Sequence, residues 1–113
     1  MDDKIRQGDL YDFYGVLLND HQREVYEDYV LNDLSLGEIA ENKGVSRQGV
    51  YDLIRRCTKQ MEDYECKMQL IRKFHLISQN IQDIEDLLKK ESNVPQSVKD
   101  LMKRHLEEIL EEI

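Results

Sequence analysis

Basic and amide side chains recur at helical spacing between residues 47 and 59. Residues 43 to 60 carry five basic residues and one acid, a net charge of +4, whereas the whole chain has a net charge of -8. Arginine and glutamine in the first turn of a helix can reach base edges in the major groove, and later basic residues can contact phosphates. The candidate DNA-contacting residues are Arg47, Gln48, Tyr51, Arg55, Arg56 and Lys59.

Asp52 lies within this basic segment and supports a second interpretation. It precedes Arg55 and Arg56 by three and four residues, which is the spacing of a solvated ion-pair network on a helix that touches no DNA. For Tyr51, packing and phosphate contact are equally consistent with the sequence. We expect this helix to contact DNA, because the basic segment follows a turn pattern that DNA-binding proteins use.

The residues before the basic segment have the spacing of a helix-turn-helix. Ser35 and Glu38 form a capping box, which predicts a short helix over about Leu36 to Asn42. Gly44, four residues after Ala40, predicts a sharp turn with a left-handed backbone, and Ser46 predicts the cap of the recognition helix. The residues expected to fill the wedge between the two helices are Ile39, Val45, Val50 and Leu53.

Two further helices are predicted in the amino-terminal part of the chain. The apolar face of the first comprises Leu10, Phe13, Tyr14, Leu17 and Leu18. The second is predicted over about Asp20 to Leu31, with an inner face of Val25, Tyr26, Tyr29 and Val30. Aromatic residues at helical spacing favour a core over a base-stacking platform, so we assign Tyr11, Phe13, Tyr14, Tyr26 and Tyr29 to packing.

The apolar series of the recognition helix continues beyond the needs of a small domain. It runs through Met61, Tyr64, Met68, Ile71 and Phe74, and the repeated three-residue spacing from Ile71 to Ile77 predicts a bend or a shift of the stripe. Pro95 predicts a break before a last helix, about Gln96 to Glu112, that folds back. We therefore expect an all-α fold with a helix-turn-helix domain in residues 1–60. We expect residues 61–113 to form a helical extension that either dimerises through this apolar stripe, which would lie outside the amino-terminal core, or folds back as a hairpin.

Catalytic, metal and cofactor sites are not predicted. The sequence has no glycine-rich phosphate loop and no Ser-His-Asp ordering, and its three histidines are scattered singly. Cys57 and Cys66 on one continuous helix would lie about 13 Å apart, too far for a disulfide. No apolar run is long enough for a membrane span or a secretory signal. We therefore expect a cytoplasmic protein that is not an enzyme and has no membrane partner.

Four segments of the chain together carry a family resemblance: Asp12-Phe13-Tyr14-Gly15, Gln22-Arg23, Leu34-Ser-Leu-Gly-Glu-Ile-Ala-Glu41 and Val45-Ser-Arg-Gln-Gly-Val-Tyr-Asp52. From about residue 10 to 75 the chain resembles the YlxM family of small bacterial proteins. This resemblance implies a helix-turn-helix similar to region 4 of sigma factors. It also implies a link to the signal recognition particle pathway, since the family's genes tend to lie beside those of that particle. Gly49 stands where the family usually has alanine, which lowers helix propensity by up to about 1 kcal/mol.

Two functions of different class are consistent with these observations. In the first, the protein is a DNA-binding regulator that forms a homodimer, so that two recognition helices meet two half-sites of double-stranded DNA. In the second, the helix-turn-helix is a scaffold, and the protein is an accessory factor that binds protein or ribonucleoprotein components of the signal recognition particle. The basic helix favours the first function, and the acidic balance of the chain favours the second.

Overall fold

Residues 4–113 are the part of the chain that the structure, a computed structural model, describes, and they contain six α-helices and no strand. The helices are α1 Lys4–Tyr14, α2 Asp20–Val30, α3 Leu36–Lys43, α4 Arg47–Met68, α5 Leu70–Lys90 and α6 Gln96–Glu112. A 3₁₀ turn, Gly15–Leu17, follows α1 directly. The predicted all-α class is confirmed for these residues.

The chain divides into two compact units, Met1–Ile71 and Arg72–Ile113. The division into a helix-turn-helix domain over residues 1–60 and a helical extension over residues 61–113 stays a prediction. The first unit contains the helix-turn-helix, formed by α3 and α4, together with α1 and α2. The second unit contains most of α5 and all of α6.

The core of the first unit is built around the inner side of α4. Val50, Ile54, Cys57 and Met61 follow one another at spacings of four, three and four residues, and all are buried. Each fully buried side chain of this size contributes about 1.5–3 kcal/mol relative to solvent exposure. The aromatic residues pack around this row: Tyr14, Tyr26 and Tyr29 are buried, and Tyr11 and Phe13 lie against the core. The predicted packing role of these five residues is confirmed.

Leu17 was predicted to lie on the inner face of the first helix, but its side chain is half exposed, so this prediction is wrong. The α-helix ends at Tyr14, and the following 3₁₀ turn has about three residues per turn instead of 3.6. This change of period turns Leu17 outward and brings Leu18 into the core. Gly15 permits the tight turn, because a β-carbon at that position would lie only 2.6 Å from the ring of Tyr11.

Val45 does not fill the wedge of the helix-turn-helix as the sequence predicted. Ile39 and Val50 are buried and Leu53 is partly buried, but the side chain of Val45 is half exposed. Val45 lies beyond the end of α3, where its amide donates to the carbonyl of Ala40 at 3.0 Å. Its side chain is therefore at the rim of the wedge, where it lines a shallow apolar hollow of about 140 Å³.

The apolar series after residue 61 does not form the long external stripe expected from the sequence. Met61 and Ile71 are buried in the core of the first unit, Tyr64 packs against that core, and Met68 is exposed. The helix ends at Met68, because Gln69 adopts a left-handed backbone with φ 55°. The break therefore precedes the predicted bend between Ile71 and Ile77, and these buried residues cannot supply a self-association surface.

In the second unit, α5 and α6 are joined by a short loop that contains Pro95. The predicted start of α6 is confirmed: the amides of Val98 and Lys99 donate to the Pro95 carbonyl, each at 3.1 Å. Leu88 near the end of α5 and Lys99 near the start of α6 line one hollow of about 370 Å³. Ile81 is buried in α5, whereas α6 has no fully buried residue.

Candidate nucleic-acid interface

Local hydrogen bonds fix where α3 and α4 begin and end. The Ser35 hydroxyl accepts from the Glu38 amide at 3.1 Å, and the Glu38 carboxylate accepts from the Ser35 amide at 2.9 Å. Gly44 ends α3 with φ 67° and ψ 33°, and the Ser46 hydroxyl accepts from the Gly49 amide at 2.9 Å. The predicted capping box, turn and second cap are thus all confirmed, and together they set the direction in which α4 leaves the turn.

Partly buried polar contacts link α4 to α2. The Thr58 hydroxyl donates to the Ile54 carbonyl at 2.8 Å and forms a 2.7 Å hydrogen bond with the Tyr26 hydroxyl of α2. Burial raises the pKa of Tyr26 to about 12, so this hydroxyl stays protonated at neutral pH. Burial and the hydrogen bond to Glu27 likewise raise the pKa of Tyr11 to about 12. These tyrosine hydroxyls serve the packing of the domain and are not available to a nucleic acid.

All six candidate residues lie on α4. Arg47, Arg55 and Arg56 are exposed, and no hydrogen bond or ion pair within the described part of the chain involves their guanidinium groups. Gln48 and Lys59 are also exposed, whereas Tyr51 is partly buried. The structure therefore brings five of the six candidates to solvent on one helix and leaves Tyr51 at the edge of the packed surface.

The ion-pair interpretation predicted that Asp52 pairs with Arg55 and Arg56. The structure shows neither pair. Its carboxylate accepts from the side-chain amide of Gln48 at 3.0 Å. Side chains on a helix lean toward its amino terminus, which brings a short aspartate closer to residue i-4 than to residue i+4. Asp52 thus restrains Gln48 and leaves the two arginines without an ion pair from this helix.

Two of the basic residues between residues 43 and 60, which we call the positive segment, form ion pairs with acids that lie outside this segment. Lys43 forms an ion pair with Glu24 of α2, and the hydrogen bond from Lys43 holds the pKa of Glu24 below its usual value. Lys59 lies 3.2 Å from Asp63. The Lys59 pair has the spacing i, i+4 and could be inferred from the sequence, whereas nothing local points to Glu24. Among the basic residues of the candidate interface, only Arg47, Arg55 and Arg56 therefore form no ion pair with an acid of the described chain.

The described residues contain neither a candidate membrane span nor a candidate metal site. No helix there has the length and apolar character needed to cross a bilayer. No group of three or more His, Cys, Asp or Glu side chains there could hold a metal ion. Cys57 is a buried free thiol, and Cys66 is an exposed one.

Comparison with known proteins places these features in a family. Residues 1–104 match the UPF0122 family, described as "Putative helix-turn-helix protein, YlxM / p13 like". The chain is 38% identical over 110 residues to a UPF0122 protein of Clostridium perfringens (strain 13 / Type A), covering 97% of this chain and 98% of the relative. It is 41% identical over 107 residues to one of Thermoanaerobacter sp. (strain X514), covering 92% and 87% respectively. The chain therefore belongs to the UPF0122 family of YlxM- and p13-like helix-turn-helix proteins.

Proposed function

We propose that the protein is a DNA-binding regulator in which α4 enters the major groove of a duplex. The observation that carries this proposal is the set of three exposed guanidinium groups, Arg47, Arg55 and Arg56, to which the described chain offers no carboxylate. A guanidinium group binds phosphate or the guanine edge through two parallel hydrogen bonds. A rigid turn before the helix favours such recognition, because the contacts are then oriented before the duplex arrives.

The position of each residue along α4 suggests its role. Arg47 and Gln48 lie in the first turn, where side chains reach base edges, and Gln48 must release Asp52 before it can bind adenine. Arg55 and Arg56 lie two turns further along, where phosphates pass the helix. Lys59 would join them after releasing Asp63, and Tyr51 would add a phosphate contact through its hydroxyl.

The arginine variants should separate phosphate contact from base recognition. Arg55→Ala and Arg56→Ala are each expected to weaken binding to every duplex roughly tenfold at low salt, and to make the slope of log affinity against log salt shallower by about one. Arg47→Ala and Gln48→Ala should instead reduce the preference among duplex sequences. Fluorescence anisotropy over a salt series measures both quantities. Arg23→Ala, on α2 and paired with Asp20, is the matched control and should leave the slope unchanged.

Asp52→Asn should increase affinity for DNA. The substitution removes the only acid of the positive segment, and the new amide oxygen can still accept from Gln48, so the stability of the protein should change by no more than about 0.5 kcal/mol. Anisotropy and thermal unfolding of the same sample measure the two effects. If neither Asp52→Asn nor the arginine variants alter duplex affinity at low salt, α4 does not read DNA and the proposal fails.

Homodimerisation in the cytoplasm completes this proposal, because a dimer would present two copies of α4 to two half-sites. The alternative is an accessory factor of the signal recognition particle that binds protein or RNA. The restraint of Gln48 and Lys59 by neighbouring carboxylates, with the net charge of -8, favours this alternative. Sedimentation of the protein mixed with the purified protein and RNA of that particle tests it. Co-sedimentation that persists in Arg55→Ala/Arg56→Ala would support the alternative.

A further inference from the structure

The helix α6 carries apolar residues over a broad part of its surface, with Met102, 39% exposed, near its middle, and the described chain covers only one edge of this surface in part. Leu106 and Leu110 are partly buried and lie on the same side as Lys99, which lines the hollow shared with α5. Val98, Leu101 and Ile109 lie on a second side and are 43%, 45% and 47% exposed. At about 100° per residue, the two sides are separated by roughly 110° around the helix axis.

This second side, which we call the outer stripe, has the spacing of a helix-pairing seam. Its positions are Val98, Leu101, His105 and Ile109, at intervals of three, four and four residues. No residue of α6 is fully buried within the described chain. Most helices in proteins gain their stability from packing of an apolar face and not from helix propensity alone. The outer stripe therefore identifies a surface where another helix can stabilise α6.

The charge pattern of α6 indicates which helix fits. The first half has a net charge of +2, from Lys99, Asp100, Lys103 and Arg104. The second half has a net charge of -4, from Glu107, Glu108, Glu111 and Glu112. A second α6 in antiparallel orientation sets each half against its opposite, and it also opposes the two helix dipoles. A parallel second copy would place the four glutamates beside four more.

The central part of the outer stripe, Leu101 to Ile109, is symmetric about His105. Leu101 and Ile109 lie four residues before and after this histidine, so an antiparallel pair centred on it places Leu101 of one copy against Ile109 of the other. On the flank of the stripe, Arg104 of each copy falls within reach of Glu108 of the other. A two-fold interface requires such self-complementarity, because the same surface serves both copies.

We propose that a second copy of this chain docks on the outer stripe, its α6 antiparallel to the first and the two-fold axis passing beside His105. This proposal rests on the homodimerisation that is part of the proposed function. It specifies the surface, the orientation and the register of the dimer. It replaces the residues from Met61 to Phe74 as the basis for a dimer, because the core of the first unit already buries Met61 and Ile71.

Sedimentation equilibrium at micromolar concentration tests the surface. Wild-type chains should sediment at twice 13.5 kDa, and Leu101→Glu and Ile109→Glu should each weaken association more than about tenfold while the helical circular dichroism is retained. Leu87→Glu is the matched control, since Leu87 lies on α5 and is 66% exposed; it should leave association unchanged. A monomeric wild type, or dissociation by Leu87→Glu alone, would overturn the proposal.

Cross-linking tests the orientation and does not depend on any destabilising variant. In a Cys66→Ser background, which keeps only the buried Cys57 thiol, chains with Leu101→Cys are mixed with chains with Ile109→Cys and treated with a short bis-maleimide. The antiparallel register predicts cross-linked dimers in the mixture and few with either chain alone. Cross-linking of each chain alone, without a gain on mixing, would indicate a parallel pair and contradict the proposal.

The outcome for the dimer can be distinguished from the outcome for DNA binding. A monomeric Leu101→Glu chain retains α4, so it should still bind a duplex with the salt slope expected for one copy. If the dimer forms as proposed but Arg55→Ala/Arg56→Ala binds DNA like the wild type, dimerisation through the outer stripe is supported and DNA binding by α4 is contradicted.

Discussion

Glu65→Ala is expected to lower the free energy of unfolding by about 2–4 kcal/mol, the largest effect that we predict for a single substitution. The Glu65 carboxylate is buried at the end of α4, where it accepts from the Tyr14 hydroxyl at 2.5 Å and from the Ile71 amide at 3.0 Å. The Leu70 amide in turn donates to the Tyr14 hydroxyl at 3.2 Å. Alanine would leave the Tyr14 hydroxyl and the Ile71 amide without their acceptor in a buried site.

Urea unfolding followed by circular dichroism measures this loss. Glu62→Ala is the matched control on the same helix: Glu62 pairs with Arg6 at 2.7 Å, but both side chains are partly exposed, and such pairs contribute about 0.2–1 kcal/mol. Glu65→Gln keeps one acceptor oxygen and should fall between the two alanine variants. If Glu65→Ala and Glu62→Ala lower the free energy of unfolding equally, the hydrogen bonds of Glu65 to Tyr14 and Ile71 do not stabilise the fold.

Gly44→Val should destabilise the protein by about 1–3 kcal/mol and lower the melting temperature. Gly44 has φ 67°, a left-handed conformation that a β-branched residue adopts only with strain. A β-carbon at this position would meet no atom within 4 Å, so the expected cost comes from the backbone and not from crowding. Differential scanning calorimetry provides the measurement.

Gly44→Asn separates backbone strain from any other effect of a side chain at the turn. Asparagine tolerates the left-handed region better than other non-glycine residues, so it should cost clearly less than valine. Both variants add a side chain to the same open space. If Gly44→Val leaves the melting temperature unchanged, or if Gly44→Asn lowers it as much as Gly44→Val does, the assignment of backbone strain to this turn is contradicted.

The helix α4 forms much of the core with its inner side and carries the arginines of the candidate interface among its exposed residues. This double role limits which substitutions on α4 can be interpreted. Changes at Val50 or Ile54 would alter folding and binding together. Changes at Arg47, Arg55 and Arg56 alter charge on an exposed surface, so a loss of affinity in those variants can be assigned to contact with the ligand.

The sequence alone determined the features that depend on neighbours no more than five residues away. The caps at Ser35 and Ser46 and the left-handed turn at Gly44 are local, because the hydrogen bonds that make them span at most five residues. The inner side of α4 is local in the same sense, since helical periodicity places Val50 and Ile54 together before any partner is known. These features predicted the helix-turn-helix and the placement of its exposed arginines.

Only the tertiary structure decided the features that depend on residues far apart in sequence. The pairing of Lys43 with Glu24, across nineteen residues, removes one base from the positive segment. Glu65 meets Tyr14 across fifty-one residues at the point where α4 ends, and Gln69, which is not a glycine, takes the left-handed conformation there. Periodicity carries no signal of such contacts, because it describes one helix by itself, whereas burial and charge compensation are set by the helices that pack against it.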